Sequence, residues 1–120
     1  MDIQIIHAIT EPTRYKLLQL LFEHHYCVRA LSKKLGISEP AVSQHMRLLK
    51  KYKIVNGIKI GYQVHYQVDK QLLVSNLEEM LRQIAQYPAE TEITKECTCE
   101  YVNECIRRDN KILEEQGYGK

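Results

Sequence analysis

The sequence predicts a mainly α-helical chain with one β-hairpin, on three observations. Apolar residues recur at helical spacing from Ile3 to Leu49. Within that run, Gly36 followed by Ile37-Ser38-Glu39-Pro40 reads as a left-handed helix stop and then a new N-cap with proline in the first turn. Residues 54–68 then switch to period two around Gly61. Helix, glycine turn, helix and hairpin in this order predict a winged helix-turn-helix.

Each element has its own signal. Ile3, Ile5, Ile6 and Ile9 mark a short first helix, too apolar to be left in water. It is expected to end near Thr10-Glu11-Pro12, with Thr10 capping a second helix and Pro12 in its first turn. That helix runs to about His24 and buries the stripe Leu17, Leu18, Leu21 and Phe22. Val28, Leu31 and Leu35 mark a third helix, which Gly36 ends. After Ser38, Val42, Met46 and Leu49 (i, i+4, i+7) point inward from a fourth helix. In the hairpin, Ile58 and Ile60 alternate before Gly61, and Val64, Tyr66 and Val68 after it. Helical period returns at 69–87, where Leu73, Leu77, Met80, Leu81 and Ile84 form a seam near the spacing of a helix-pairing surface. Pro88 stops it. Residues 88–98 read as a polar connector, and a final helix is expected from about Cys99 to Glu115. Its apolar content is thin, so it needs a partner to stay folded.

Composition narrows the function. A chain of 120 residues, 44% hydrophobic and 27% charged, has a globular balance and a core small enough for dimerisation to help it. Met1-Asp2-Ile3-Gln4 has no basic flank, and no apolar run nears the ~20 residues that span a bilayer. The chain is therefore read as cytoplasmic, with no membrane partner and with its four cysteines as thiols. The charge is divided. Residues 1–68 hold ten cations against four anions, a net of +6, whereas 69–120 hold seven against eleven, a net of −4. A basic front half suits phosphate and an acidic back half suits protein, although an uneven soluble surface would look the same. No phosphate-cradling glycine loop, nucleophile elbow or HExxH spacing is present, and neither an enzyme nor an organic cofactor is expected.

The fourth helix carries the chemistry of a DNA reader. A recognition helix meets base edges with its N-terminal residues, and here Ser43, Gln44 and His45 lie in the first two turns. Gln44 can bond an adenine edge bidentately, while Ser43 and His45 can serve bases or phosphates. Arg47, Lys50 and Lys51 suit phosphate, and Lys59 and Tyr62 lie near the hairpin tip, with Lys59 set to reach the backbone or minor groove.

Glu11-Pro12-Thr13-Arg14, the segment Leu31-Ser32-Lys33-Lys34-Leu35-Gly36-Ile37-Ser38 and the segment Ala41-Val42-Ser43-Gln44-His45-Met46-Arg47-Leu48-Leu49 resemble the arsenical-repressor (ArsR/SmtB) family. The hairpin Ile60-Gly61-Tyr62-Gln63-Val64-His65-Tyr66 resembles its wing, and the similarity covers about residues 5–86. The resemblance implies a homodimer joined through the first helix and the helix after the wing. It also implies a repressor that sits on a double-stranded operator with an inverted repeat and leaves it when an inducer binds. Residues 1–87 are accordingly expected to form the DNA-binding and dimerisation domain, and 88–120 a C-terminal extension with a cysteine cluster and a short helix.

The inducer is read from that extension. Cys97-Thr98-Cys99 and Cys105 place three thiols within nine residues, a set suited to a soft ion. As(III) or Sb(III) is the expectation, with Cd(II), Pb(II) or Zn(II) as alternatives, and some arsenic-sensing members of the family carry a similar tail. Neighbouring Lys95, Arg107 and Arg108 favour thiolates. On one continuous helix Cys99 and Cys105 would stand ~9 Å apart along the axis and on different faces. The helix must therefore begin after Cys99 and the segment fold back, or the site must close on its ligand.

Cys27 stands where the family's CVCDL sensing stretch begins, but Arg29 replaces the second cysteine, which puts that helix site in doubt. Cys27 is then either a buried inert residue or a helper of the tail cluster. The helix at 69–87 has no histidine, so the family's interhelical zinc site is not supported. His24-His25 reads as a surface or capping pair, and His7 and His65 have no sequence-near ligand partner. Two other functions stay open: a repressor whose thiols respond to oxidants or sulfur species, and a DNA-binding module that senses nothing.

Overall fold

The computed structural model describes residues 1–89 and 95–115. Residues 90–94 of the expected connector and 116–120 at the end of the chain lie outside the described residues. Two units follow one another in the chain, Met1–Tyr87 and Pro88–Lys120.

Asp2 opens the first unit by accepting the backbone N–H of Gln4 at 2.9 Å, which caps α1 (Ile3–Thr10). Ile5, Ile6, Ala8 and Ile9 of this helix are buried. The helix α2 (Pro12–Glu23) has a different cap from the one the sequence suggests. Thr10 remains the last residue of α1 and donates its hydroxyl to His7 O, whereas the carboxylate of Glu11 accepts the N–H of Arg14 at 2.8 Å. The longer side chain reaches the first turn once Thr10 is spent on the helix behind it. Arg14 completes the corner, donating from Nε to Ala8 O at 2.5 Å.

A two-residue strand, β1 (Tyr26–Cys27), leads into α3 (Val28–Leu35). Gly36 ends α3 with a φ of 69°, and the N–H groups of Gly36 and Ile37 both return to Ser32 O. Ser38 then caps α4 (Glu39–Lys51), accepting from Ala41 N. At the far end of α4, Lys53 takes a φ of 62°. Its N–H bonds Lys50 O while that of Ile54 bonds Leu49 O, a Schellman closure with lysine in the place usually given to glycine.

The strands β2 (Val55–Ile60) and β3 (Gln63–Val68) pair antiparallel, with Val55 opposite Val68 and Ile60 opposite Gln63. The sequence signals the hairpin but not the third strand. β1 pairs with the outer side of β3, Tyr26 opposite Tyr66 and Cys27 opposite His65, giving the order β1-β3-β2. Two residues are too few for a periodic pattern, so tertiary pairing alone reveals this strand. The helix α5 (Lys70–Ala85) follows, capped by Asp69. Leu17, Leu18, Leu31, Val42, Leu49 and Ile54 are fully buried and, with Met46 and Val55, form the core that joins α1–α4 to the base of the hairpin.

In the second unit the final helix, α6 (Val102–Glu115), begins later than expected. Cys99 falls in the turn before it and accepts the N–H of Val102 at 3.0 Å. Among the described residues no helix is long and apolar enough to cross a membrane.

Candidate nucleic-acid interface and thiol segment

Burial of Val42, Met46 and Leu49 fixes the rotation of α4 and so decides which of its side chains meet solvent. Ser43, Gln44 and Arg47 come together along one open cleft, with Ser38, Pro40 and Ala41 completing its wall. Gln44 and Arg47 are exposed and Ser43 is half-buried. The first turn, Ser38 to Ala41, thus belongs to the same surface. The sequence reading began this surface at Ser43, although Ser38 as a cap and Pro40 already marked the helix end that would enter a groove.

The other predicted contacts lie apart from this cleft. His45 is half-buried on the side of α4 that faces the start of α2, close enough to Glu11 for its charge to help lower that carboxyl. Lys50 lines a second cleft with Lys53, Asn56, Gln67 and Asp69 at the base of the hairpin. Lys51 is exposed, with Nζ 5.5 Å from the ring centre of Tyr52. At the hairpin tip Gly61 adopts a φ of 62°, and Tyr62 is fully exposed beside an exposed Lys59. The base of this hairpin is anchored in the core by Val55, and its tip presents Lys59 and Tyr62 to solvent, where a wing reaches a backbone or a minor groove.

The tail thiols are all exposed. Sγ of Cys97 accepts the N–H of Cys99 at 3.4 Å, and Sγ of Cys99 accepts that of Tyr101 at 3.4 Å. Cys105 sits in the first turns of α6, with its own N–H bonded to Tyr101 O. Because α6 starts at Val102, Cys97 and Cys99 are outside the helix, and only Cys105 lies within it. Among the described residues no group of three or more His, Cys, Asp or Glu side chains is already arranged to hold a metal ion. The donor chemistry fits a thiophilic ion; the closed geometry would have to come with the ligand.

Cys27 is half-buried at the start of α3 and makes no capping bond through its side chain. Beside it the structure assembles a group that sequence spacing did not bring together. Nδ1 of His25 lies 2.9 Å from Nδ1 of His65, one donating and the other accepting according to tautomer. Crowding by its neighbours, then repulsion from His24 and His65, holds His25 below the ordinary imidazole pKa.

Similarity to known proteins follows the same elements. Residues 11–56 match the family described as bacterial regulatory protein, arsR family. The transcriptional repressor SdpR of Bacillus subtilis (strain 168) is 28% identical over 77 residues, which are 64% of this chain and 86% of that protein. The HTH-type transcriptional repressor SmtB of Mycobacterium tuberculosis (strain ATCC 25618 / H37Rv) is 32% identical over 65 residues, 54% of this chain and 48% of the repressor. A crystal structure described as a possible transcriptional regulator for arsenical resistance superposes with a TM-score of 0.59 at 29% identity, covering 71% of this chain and 97% of that one.

Proposed function

This chain belongs to the arsR family of bacterial regulatory proteins, and from that premise we propose that it is a cytoplasmic, homodimeric repressor that leaves its operator when a thiophilic inducer binds the tail. The observation that carries the DNA-binding part is the open cleft where Ser43, Gln44 and Arg47 meet the first turn of α4. Gln44 reads a base edge there, Ser43 and His45 serve bases or phosphate, and Arg47, Lys50, Lys51, Lys59 and Tyr62 fix the register on the backbone.

Dimerisation is supported by an exposed apolar surface on α1 and α5. Ile3 on α1 and Val74, Leu77, Leu81 and Ile84 on α5 are 40–64% exposed. Covering what remains exposed of such a side chain is worth about 0.6–2 kcal/mol, and several together favour a second copy over water. A two-fold dimer sets two α4 helices against half-sites about one helical turn apart, so a small change in their separation loses many contacts together. The tail follows α5 in the chain, and capture of As(III) or Sb(III) by Cys97, Cys99 and Cys105 would order it; Cd(II), Pb(II) and Zn(II) are the alternative ions.

Serine replacement tests the inducer. Cys97→Ser, Cys99→Ser and Cys105→Ser should each keep operator affinity and lose release by arsenite. Equal release of all three variants would remove the tail from the mechanism. The exposure of Cys97 and Cys99 supports a second reading, in which peroxide oxidises the pair to a disulfide and no ion is needed. Release by peroxide and not by arsenite, lost in Cys97→Ser, would select it.

A further inference from the structure

Three imidazoles converge where the sheet meets the helix-turn-helix. His25 directly precedes β1, Cys27 ends that strand, and Cys27 is paired with His65 of β3. Residues two apart along a strand share a face, and so do directly opposed residues of an antiparallel pair. His25, Cys27 and His65 therefore fall on one face. The rings of His25 and His65 meet edge to face, with centroids 4.9 Å apart. His24 lies against His25 at 4.2 Å and turns its own Nδ1 toward the carbonyl of His25, so it braces the ring beside it.

Two imidazole nitrogens 2.9 Å apart can share a proton. They also match two ligands of one cation: at metal–nitrogen distances of ~2.0–2.1 Å, this separation subtends about 90°. That is the cis angle of a tetragonal or octahedral ion such as Ni(II) or Cu(II), whereas tetrahedral zinc would need the nitrogens ~3.3 Å apart. We propose that His25 and His65 form a cation site of their own, distinct from the tail thiols, that takes Ni(II) or a similar divalent ion through its two imidazoles. Water fills the remaining positions, since the described residues offer no ready third donor. β1 runs straight into α3 and β3 is a strand of the hairpin, so an ion held here fastens the wing to the helix-turn-helix.

The test is calorimetric titration of Ni(II) into the full chain carrying Cys97→Ser, Cys99→Ser and Cys105→Ser, which removes the competing tail. One ion per chain is expected, with His25→Gln and His65→Gln each weakening binding about tenfold or more, while His7→Gln leaves it unchanged. Circular dichroism shows whether each variant is folded, and Gln keeps the polar volume of the exposed His25 ring and the half-buried His65 ring. Absence of Ni(II) binding in the thiol-free chain, or equal affinity in a folded His25→Gln/His65→Gln double variant, would overturn the proposal. Loss in His24→Gln but not in His65→Gln would also overturn it.

Discussion

The backbone N–H of Asp2 donates to Oδ1 of Asn76 across 2.9 Å, tying the start of α1 to the middle of α5. Asn76 is the one buried polar side chain among the described residues, and its Nδ2 donates to Leu72 O at 2.8 Å. The two helices it joins carry the exposed apolar residues Ile3, Leu77 and Leu81, so this bond sets the angle between the halves of the proposed dimer face. Asn76→Ala should cost about 1–3 kcal/mol, because it leaves the Asp2 N–H without its partner. Urea unfolding at fixed protein concentration measures the cost, and sedimentation should show a weaker dimer.

The exposed side chains of α4 predict two kinds of loss. Gln44→Ala should relax preference for one base position and cost about 1–3 kcal/mol on the true site alone. Lys51→Ala should weaken binding to all sequences alike and lower the slope of log affinity against log salt by about one. Anisotropy titrations at several salt concentrations, on operator and on unrelated DNA, separate them.

Gly57 and Gly36 are required for different reasons. A Cβ at Gly57 would stand 2.8 Å from Cγ1 of Val64 on the facing strand, so Gly57→Ala must push the hairpin apart at a cost of about 1–3 kcal/mol. A Cβ at Gly36 meets nothing within 4 Å, and only its positive φ opposes Gly36→Ala, by about 1–2 kcal/mol. Lys53 adopts the same left-handed backbone, so Lys53→Gly should raise stability by up to about 1 kcal/mol. Thermal unfolding monitored by circular dichroism gives the three signs.

Glu11 links the fold to pH. The Arg14 N–H, the strongest influence on this carboxyl, holds it below its ordinary value of 4.5, with the Thr13 N–H and the charges of His45 and Arg14 adding to the effect. The unfolded chain then takes up the proton first, so this contribution is complete above the ordinary carboxylate value and is lost as pH falls through the lowered one. Glu11→Ala should cost about 1 kcal/mol at neutral pH through the lost cap. The gap between wild type and variant should close on acidification, as urea unfolding between about pH 7 and about pH 3 would show.

Most of the first unit was legible because its signals are local. Gly36, Ser38 and Pro40 announce the turn and the cap within five residues, and Val42, Met46 and Leu49 give the rotation of α4. What was missed depends on contacts across the chain. β1 exists because Tyr26 and Cys27 find β3 forty and thirty-eight residues later, and only that pairing brings His25 to His65. The cap at Glu11 was misplaced because Thr10 was already engaged by α1, a competition that residue preference cannot rank. The seam on α5 was read correctly as apolar. Only Leu73 of it is buried within one chain.

The most direct test is fluorescence anisotropy of the fully reduced protein on its own promoter DNA, with arsenite added at fixed salt. The account predicts tight, salt-sensitive binding that prefers this DNA over unrelated duplex, and release at about one ion per subunit. Equal affinity for both duplexes, or no binding at all, would contradict it.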